Sequence, residues 1–356
     1  MPSRDRRGYP AAVAEPTLTQ RALNRAMLAR QLLLERADLP IPEAIEQVGG
    51  LQTQYSPSGY VGLWTRLRDF RRDELTAALE DRSVIQATLM RTTIHMVSRR
   101  EYWFYELGVR EARRAWAGRL PAQLGAGEAD MQVKADRARS ALADGPLTVK
   151  ELGALGSGFL GNLSIWLDLV RVPPSGTWER RRADRLALAE SWVGPPDTTE
   201  AAGLTHLVGA YLRAFGPAAW RDIASWAGLQ VADVRRAAEG LELRHYRDED
   251  GRPLVDLATA PQPDPDAAAP VRFIPHWDAI LLVHARRTGV LPEDHRSRIF
   301  SSRNPFSVGT YLVDGVVAGA WSLREGRVVL DPLAQLAPRM RRAVEIEREA
   351  LEAFHA

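Results

Sequence analysis

The feature that most constrains the fold is a repeated order of three short helices followed by two strands. It is clearest in the third copy, where the spacing of apolar residues predicts helices over Thr205 to Phe215, Ala218 to Gly228 and Val231 to Gly240. Two apolar runs on either side of an Asp-Gly turn then predict a hairpin, with strands over Leu243 to Tyr246 and Leu254 to Leu257. Three helices followed by a two-stranded ribbon is the arrangement of a winged helix.

The same order of elements occurs twice earlier in the chain. In the first copy we predict helices over Leu18 to Glu35, Glu43 to Val48 and Asp73 to Glu80, and strands over Val84 to Met90 and Thr92 to Val97. In the second copy we predict a helix over Leu147 to Gly153 with Thr148 as its N-cap, a helix over Leu163 to Val170, and strands over Trp178 to Ala183 and Leu186 to Trp192. The copies share an order of helices and strands rather than residues. That repeated order predicts three tandem winged-helix units.

The remainder of the chain is rich in strands. A segment of Pro, Ala and Asp, Ala258 to Pro270, is typical of a linker. After it we predict strands and a closing helix, over Val271 to Pro275, Thr310 to Val313, Val316 to Trp321, Arg327 to Leu330 and Arg339 to Phe354. The predicted fold class is therefore helix-rich α+β, with winged-helix units over 18–120, 130–195 and 200–258 and a strand-rich part over 271–356.

Composition narrows the chemistry and the compartment. The chain has no cysteine, which excludes disulfides, cysteine nucleophiles and zinc–thiolate sites. We find no apolar run of the ~18 residues that a membrane span needs, and the polar N-terminus lacks a signal-peptide core, so we expect a cytoplasmic protein with no membrane contact. The formal net charge is only +2, although 47 residues are basic. Any nucleic-acid surface must therefore be a local patch.

Two uncharged amides, Gln52 and Gln54, stand out between the glycine pair Gly49-Gly50 and the aromatic run Gly59 to Arg66. Side chains two residues apart share a direction in extended backbone but not on a regular helix, so a shared site requires the preceding helix to end near the glycines. Glutamine has no useful pKa, so the pair could hold a water or a base edge without taking its proton. The residue types alone also fit a role in the core or in capping.

Arginine accounts for all basic residues except Lys134 and Lys150, and it recurs in clusters. Any one cluster can be a solvated face, but several fall on predicted wings, turns or third helices, where a winged helix contacts DNA. We predict DNA contacts from Arg91, Arg180, Arg181, Arg182, Arg235, Arg236, Arg286 and Arg287. His276-Trp277-Asp278 follows a predicted strand and could orient a water, or form a structural corner. The seven histidines lack metal-ligand spacing, so neither a metal nor another cofactor is predicted.

Five segments together resemble the AlkZ-type winged-helix DNA glycosylases. They are Gly50-Leu51-Gln52-Thr53-Gln54, Tyr60 to Arg66, Met90 to Val97, Phe273 to Ala279 and Tyr311 to Gly315, and the resemblance spans roughly residues 19–335. It implies three winged-helix units in a C shape with a basic concave surface. It also implies excision of bulky N7-alkylated purines, unhooking of interstrand crosslinks, and self-resistance to a genotoxic natural product. In that family the Gln-x-Gln triplet is the catalytic pair, here Gln52 and Gln54. The middle position is usually apolar, and Thr53 departs from that pattern.

The resemblance gives further expectations about the site. The partner is double-stranded DNA carrying alkylated or crosslinked purines, bound by a monomer. We expect Tyr60, Trp64, His276 and Asp278 to support the site, and a hairpin at Arg286-Arg287 or Asp314-Gly315 to probe the groove. With only two lysines, neither near the amides, the sequence favours an enzyme that does not form a Schiff base.

Two alternatives are open at this point. One is a non-enzymatic winged-helix transcription regulator, which would prefer a DNA sequence and release no base. The other is a protein that sequesters the genotoxin itself in an aromatic cleft built from Tyr60 and Trp64.

Overall fold

The computed structural model describes residues 15–119, 128–154, 163–282, 289–300 and 308–356. The first stretch forms, in order, β1 (Thr17–Leu18), α1 (Gln20–Arg30), α2 (Ile41–Gln47), β2 (Leu51–Gln52), α3 (Pro57–Trp64), α4 (Arg72–Glu80), β3 (Val84–Thr88), a 3-10 turn (Met90–Thr92), β4 (Ile94–Ser98) and α5 (Tyr102–Ala117). The helices and strands predicted here are confirmed, although their ends differ by a few residues. Helix α3 was not predicted, although it begins at Pro57, a residue that is tolerated in the first turn of a helix.

The second stretch corrects part of the prediction. It forms α6 (Glu128–Leu142), β5 (Leu147–Thr148), α7 (Val149–Ala154), α8 (Leu163–Trp166), β6 (Leu169–Arg171), β7 (Arg185–Leu188) and α9 (Ala189–Trp192). The Thr148 N-cap is confirmed, since its hydroxyl accepts the N–H of Glu151 at 3.2 Å. The strand predicted over 178–183 is wrong. The helix predicted over 163–170 ends at Trp166, and the strand predicted over 186–192 ends at Leu188, where α9 follows. The partner of β7 is β6 instead, because residues 169–171 also hydrogen-bond to β3, a contact that local sequence cannot reveal.

The third and C-terminal stretches follow the predicted order closely. The third forms α10 (Glu200–Phe215), α11 (Trp220–Ala227), α12 (Val231–Ala237), β8 (Leu243–Asp248) and β9 (Pro253–Leu257). The last forms β10 (Arg272–Ile274), α13 (Ala279–Leu282), α14 (Arg296–Ile299), β11 (Gly309–Val313), β12 (Val316–Arg324), β13 (Arg327–Pro332) and α15 (Pro338–His355). Strands β10 to β13 pair in sequence order as an antiparallel sheet. In the part of the chain that the structure describes, no helix is long and apolar enough to cross a bilayer.

Strands β2 to β7 of the first two stretches form one six-stranded sheet rather than two separate wings, whereas β1 pairs with β8 of the third stretch. The order of the six-stranded sheet is β2-β4-β3-β6-β7-β5, so hydrogen bonds between β3 and β6 cross the predicted boundary between units. Successive residues of a strand point to opposite faces, and the sheet therefore separates two cores. Ile85 and Val97 pack into one core, whereas Val84 and Met96 pack into the other. The three-unit interpretation and the C shape stay predictions.

Helices α5 and α10 pass very close to each other where two glycines meet. A Cβ built on Gly203 would lie 2.7 Å from the Gly108 nitrogen and 2.6 Å from the Phe104 carbonyl oxygen. Backbone atoms cannot yield as a flexible side chain can, so only glycine fits this crossing.

We expect Gly203→Ala to destabilise the protein by about 2 kcal/mol or more, since the added methyl group must push two helices apart. Urea unfolding monitored by circular dichroism measures the change. Gly209→Ala on the same helix is the matched control, because a Cβ there meets no atom within 4 Å. It is expected to gain roughly 0.5–1 kcal/mol from helix propensity. Equal unfolding midpoints for the two variants would contradict the close crossing.

Candidate functional site

The helix before the two amides ends as predicted. Gly49 and Gly50 have φ of +75° and +84°, a conformation that L residues with a side chain rarely adopt. The chain then runs extended beside β4, with Gln52 opposite His95 and the Thr53 N–H donating to the Ile94 carbonyl at 2.8 Å. In an extended segment alternate residues share a side. The side chains of Gln52 and Thr53 are thus on opposite sides of the strand, and that of Gln54, just beyond the end of β2, returns to β4 through the Ile94 N–H.

Both amide oxygens are fixed by protein donors. Gln52 Oε1 accepts from Arg91 Nη2 at 2.8 Å, and Gln54 Oε1 accepts from the Ile94 N–H at 3.1 Å. A guanidinium and a main-chain N–H can only donate, so they settle which end of each amide is the oxygen. Each oxygen retains a second lone pair. Gln52 is 7% exposed and Gln54 is exposed, so the pair lies at the surface end of the sheet.

Arg91 links this pair to the third stretch. It lies in the 3-10 turn between β3 and β4 with φ +52°, and its Nη1 donates to the Trp226 carbonyl at the end of α11. Burial lowers the pKa of its guanidinium to about 10, which leaves it charged at neutral pH. Two of its guanidinium nitrogens thus donate to protein acceptors, one on Gln52 and one on Trp226.

Thr53, the departure from the family pattern, is fully buried in the opposite direction. Its hydroxyl accepts from Gln86 Nε2 at 3.2 Å, so its polar atom has a partner. Gln86 also packs closely against Gly176, in the loop between β6 and β7. A Cβ added to Gly176 would lie only 2.2 Å from Gln86 Oε1. Gln86 thus bridges the amide strand to that loop, and the hydroxyl of Thr53 is accommodated.

The same loop docks on the residues that follow Gln54. Ser56 Oγ donates to the Arg181 carbonyl at 2.6 Å, and Arg181 Nη1 donates to the Tyr55 hydroxyl at 3.0 Å. Arg181 is therefore next to the amides, together with exposed Arg180 and with Arg182, which pairs with Asp184 at 3.1 Å. The structure brings this predicted arginine cluster to the candidate site.

Comparison with known proteins identifies the family. The family model described as DNA glycosylase AlkZ-like matches residues 45–354. The chain belongs to the AlkZ-like DNA glycosylase family. It is thus a glycosylase enzyme with DNA as its partner. The alternative interpretation as a non-enzymatic transcription regulator is wrong.

A solved relative has the same fold. The Streptomyces sahachiroi DNA glycosylase AlkZ superposes with a TM-score of 0.79 at 20% identity, over 95% of this chain and 97% of that one. No curated protein sequence matches the chain.

Two residues expected to support the AlkZ-like site do not line an open cleft. Tyr60 is fully buried, and its hydroxyl lies 2.9 Å from Thr76 Oγ1. Trp64 packs against Phe354 of α15 and under the Arg36 guanidinium. Both rings are used by the core, so the expectation of an aromatic cleft from Tyr60 and Trp64, and with it the sequestration alternative, is wrong in its stated form.

His276 and Asp278, the two predicted site residues of one segment, have different surroundings. Asp278 is buried in an ion pair with Arg66 at 2.9 Å and caps α13 through the Ile280 N–H at 3.1 Å, which makes it a structural corner. His276 instead faces a pocket, with its ring 6.0 Å from that of Tyr55, and burial lowers its pKa. Of the two predicted site residues in this segment, the histidine lies close to the residues that follow Gln54, and Trp277 lines the same pocket.

The remaining predicted DNA contacts are distributed differently. Arg235 and Arg236 are exposed on α12, where Arg236 pairs with Asp233. Arg286 and Arg287 lie outside the described residues. The Asp314-Gly315 turn is not a groove probe, because Asp314 pairs with Arg21 at 3.0 Å and the Gly315 carbonyl accepts from Asn24 at 2.9 Å. These bonds hold the turn against α1.

Sequence reasoning missed Gln86, Tyr55 and Ser56 as residues of the site. Their contacts join segments 33 to 126 residues apart, and no local spacing signals them. Across the described ranges, no group of three or more His, Asp or Glu side chains is placed to hold a metal ion.

His95, opposite Gln52, is neutral. Its Nδ1 lies 3.0 Å from the Thr93 carbonyl, which can only accept, so Nδ1 carries the proton. Burial, and then the charge of Arg91, lower its pKa to about 3. An imidazole with this pKa does not exchange protons at neutral pH.

We expect His95 to make the protein sensitive to acid. Its pKa is lower in the folded chain than in the unfolded one, so between pH 6.5 and 3 the unfolded chain binds the extra proton and stability falls as the pH falls. The loss is about 1.4 kcal/mol per pH unit. The measurement compares the free energy of unfolding with that of His95→Gln from pH 7 to 4.5. Glu106, whose pKa burial raises to about 7, acts in the opposite sense in both proteins. Parallel curves would contradict the prediction.

Proposed function

We propose that the protein is a monofunctional DNA glycosylase that excises bulky N7-alkylguanine and unhooks interstrand crosslinks, and that it protects a cell from a genotoxic natural product. The observation that carries the chemistry is the pair of amide oxygens at Gln52 and Gln54. Each is held by a donor and each keeps a lone pair directed away from it. The compartment we propose is the cytoplasm, where a chain without cysteine loses nothing to reducing conditions.

Alkylation at N7 makes guanine cationic, so the base leaves readily with the electrons of its bond to C1′. A water must then add its oxygen to C1′ and release a proton to solvent, while the base departs as neutral N7-alkylguanine. Gln52 and Gln54 accept the two water hydrogens and direct the water lone pair towards C1′. Catalysis is then by positioning and electrostatics, which need no ionisable group.

The DNA surface that we propose combines the arginine loop at the amides with the third helix of the third stretch. Arg180 and Arg181 lie beside the amides, and Arg235 and Arg236 are exposed on α12. Arg91 touches both regions, through Gln52 and through Trp226. In a monomer, three winged-helix units arranged in a C would present these surfaces to duplex DNA.

The test is incubation of the purified protein with a duplex that carries one N7-alkylguanine. We expect release of the base and a DNA strand that stays intact until alkali is added, because neither Lys134 nor Lys150 belongs to an element that holds the amides. Strand cleavage without alkali, trapped as a covalent adduct by borohydride, would contradict the monofunctional mechanism.

A further inference from the structure

A pocket of about 320 Å³ begins at the residue after Gln54. Its wall is a series of aromatic rings in contact, in the order Tyr55, His276, Trp321 and His355, with centroids 6.0, 5.8 and 6.1 Å apart. Trp277 and Leu323 complete the lining. We call this the aromatic pocket. Its volume is at the lower end of the range for small-molecule sites.

The aromatic pocket is uncharged inside and cationic at its rim. Burial lowers the pKa of His276, and lowers that of His355 to about 4 with help from the charges of Arg181 and Arg72, so both rings are neutral at pH 7. Arg181 lines the opening and donates to the Tyr55 hydroxyl. The interior thus favours an uncharged ring, and the rim favours a DNA phosphate.

Two features of the lining point to a ligand. Trp277 is held at φ +66°, which is strained for a bulky residue, and such strain clusters at binding sites. Both ring nitrogens of His355 are buried and have no hydrogen-bond partner among the residues that the structure describes. A neutral imidazole offers one donor and one acceptor to a ligand.

We propose that the aromatic pocket binds an uncharged planar aromatic group that is carried by the alkyl substituent of the lesion. This inference rests on the proposed function and extends it to the kind of adduct. Tyr55 directly follows Gln54 and its ring forms one wall of the pocket, so the pocket adjoins the segment that carries the amide. Neighbouring rings of the wall are inclined by 60–76°, so an aromatic group makes face and edge contacts with them, which a small alkyl group cannot.

The test compares two duplexes, one with N7-methylguanine and one whose N7 substituent is a naphthylmethyl group. Leu323→Trp fills the pocket from a side chain that is 39% exposed. The matched control is Val329→Trp, which adds the same ring to the same hairpin at a position 40% exposed and outside the lining. We expect Leu323→Trp to lower kcat/KM about tenfold on the naphthylmethyl duplex and less than twofold on the methyl duplex. Val329→Trp should resemble the wild type on both.

An equal change in kcat/KM on the two duplexes, or no change on either, would overturn the proposal that the aromatic pocket binds the substituent. A second measurement uses free 2-naphthylmethanol without DNA and follows tryptophan fluorescence. Binding to the wild type and Val329→Trp, but not to Leu323→Trp, supports the pocket, and equal behaviour of all three overturns it. If the wild type releases no base from either duplex, the proposed glycosylase substrate is wrong, while the fluorescence result still decides the pocket.

Discussion

Replacing both Gln52 and Gln54 with alanine is expected to lower the rate of base release at least about 100-fold under single-turnover conditions. The two amide oxygens are the acceptors that hold the water, and their loss removes them together. Alanine cannot replace the hydrogen bonds from Arg91 and the Ile94 N–H, but the sheet pairing of β2 involves the main chain and persists. DNA affinity, measured by fluorescence anisotropy, should change less than threefold.

The control for this double variant is Gln47→Ala. Gln47 is also an amide near the site, but its Nε2 donates to the Arg30 carbonyl within the helical layer. It should release base at the wild-type rate. Excision by the double variant at an unchanged rate would contradict the catalytic role of Gln52 and Gln54.

Arg91→Ala is expected to give the second largest loss, about tenfold to 100-fold in the rate of base release. Without the guanidinium, Gln52 is free to rotate and the Trp226 carbonyl loses its donor. Because Arg91 acts through Gln52, we class it as a positioning residue. The loss should fall on kcat, with little change in DNA affinity or in the salt dependence of binding.

A phosphate contact would behave in the opposite way. Loss of one such contact weakens binding and reduces the slope of log K against log salt by about one. Arg82→Ala is the matched control, because Arg82 also has a positive φ, +68°, and also contacts a tryptophan, with its guanidinium over Trp192 at 4.1 Å. A reduced salt slope with an unchanged kcat for Arg91→Ala would show that Arg91 binds DNA directly.

Most helices and strands could be predicted from the sequence because their signals are local. The third stretch shows this best, since Gly228 adopts the left-handed conformation that ends α11 and Gly251 adopts it in the hairpin turn. The failure at 178–183 has a tertiary cause. Trp178 is buried against Tyr60 and Phe354, so its hydrophobicity reflects packing between distant segments rather than a strand.

The site was predicted in part for the same reason. The Gly49-Gly50 helix end and the two-residue spacing are local, and they indicated that Gln52 and Gln54 follow a helix end. The roles of their neighbours were not predictable, because Arg91 is 39 residues from Gln52 in sequence and Gln86 is 33 from Thr53. A turn such as Asp314-Gly315 can be recognised from sequence, but its contacts with α1 cannot.

In the proposed mechanism the two amides position water for base release without exchanging a proton. A direct test is the single-turnover rate of N7-alkylguanine release by the wild type between pH 6 and 8.5, divided by the rate of spontaneous depurination at each pH, because the N1–H of the cationic base itself ionises near neutral pH. Neither glutamine titrates and the pKa of His95 is about 3, so we expect a ratio that does not depend on pH across this range. No release, or a ratio that follows a single ionisation near neutral pH, would contradict the role given to the amides.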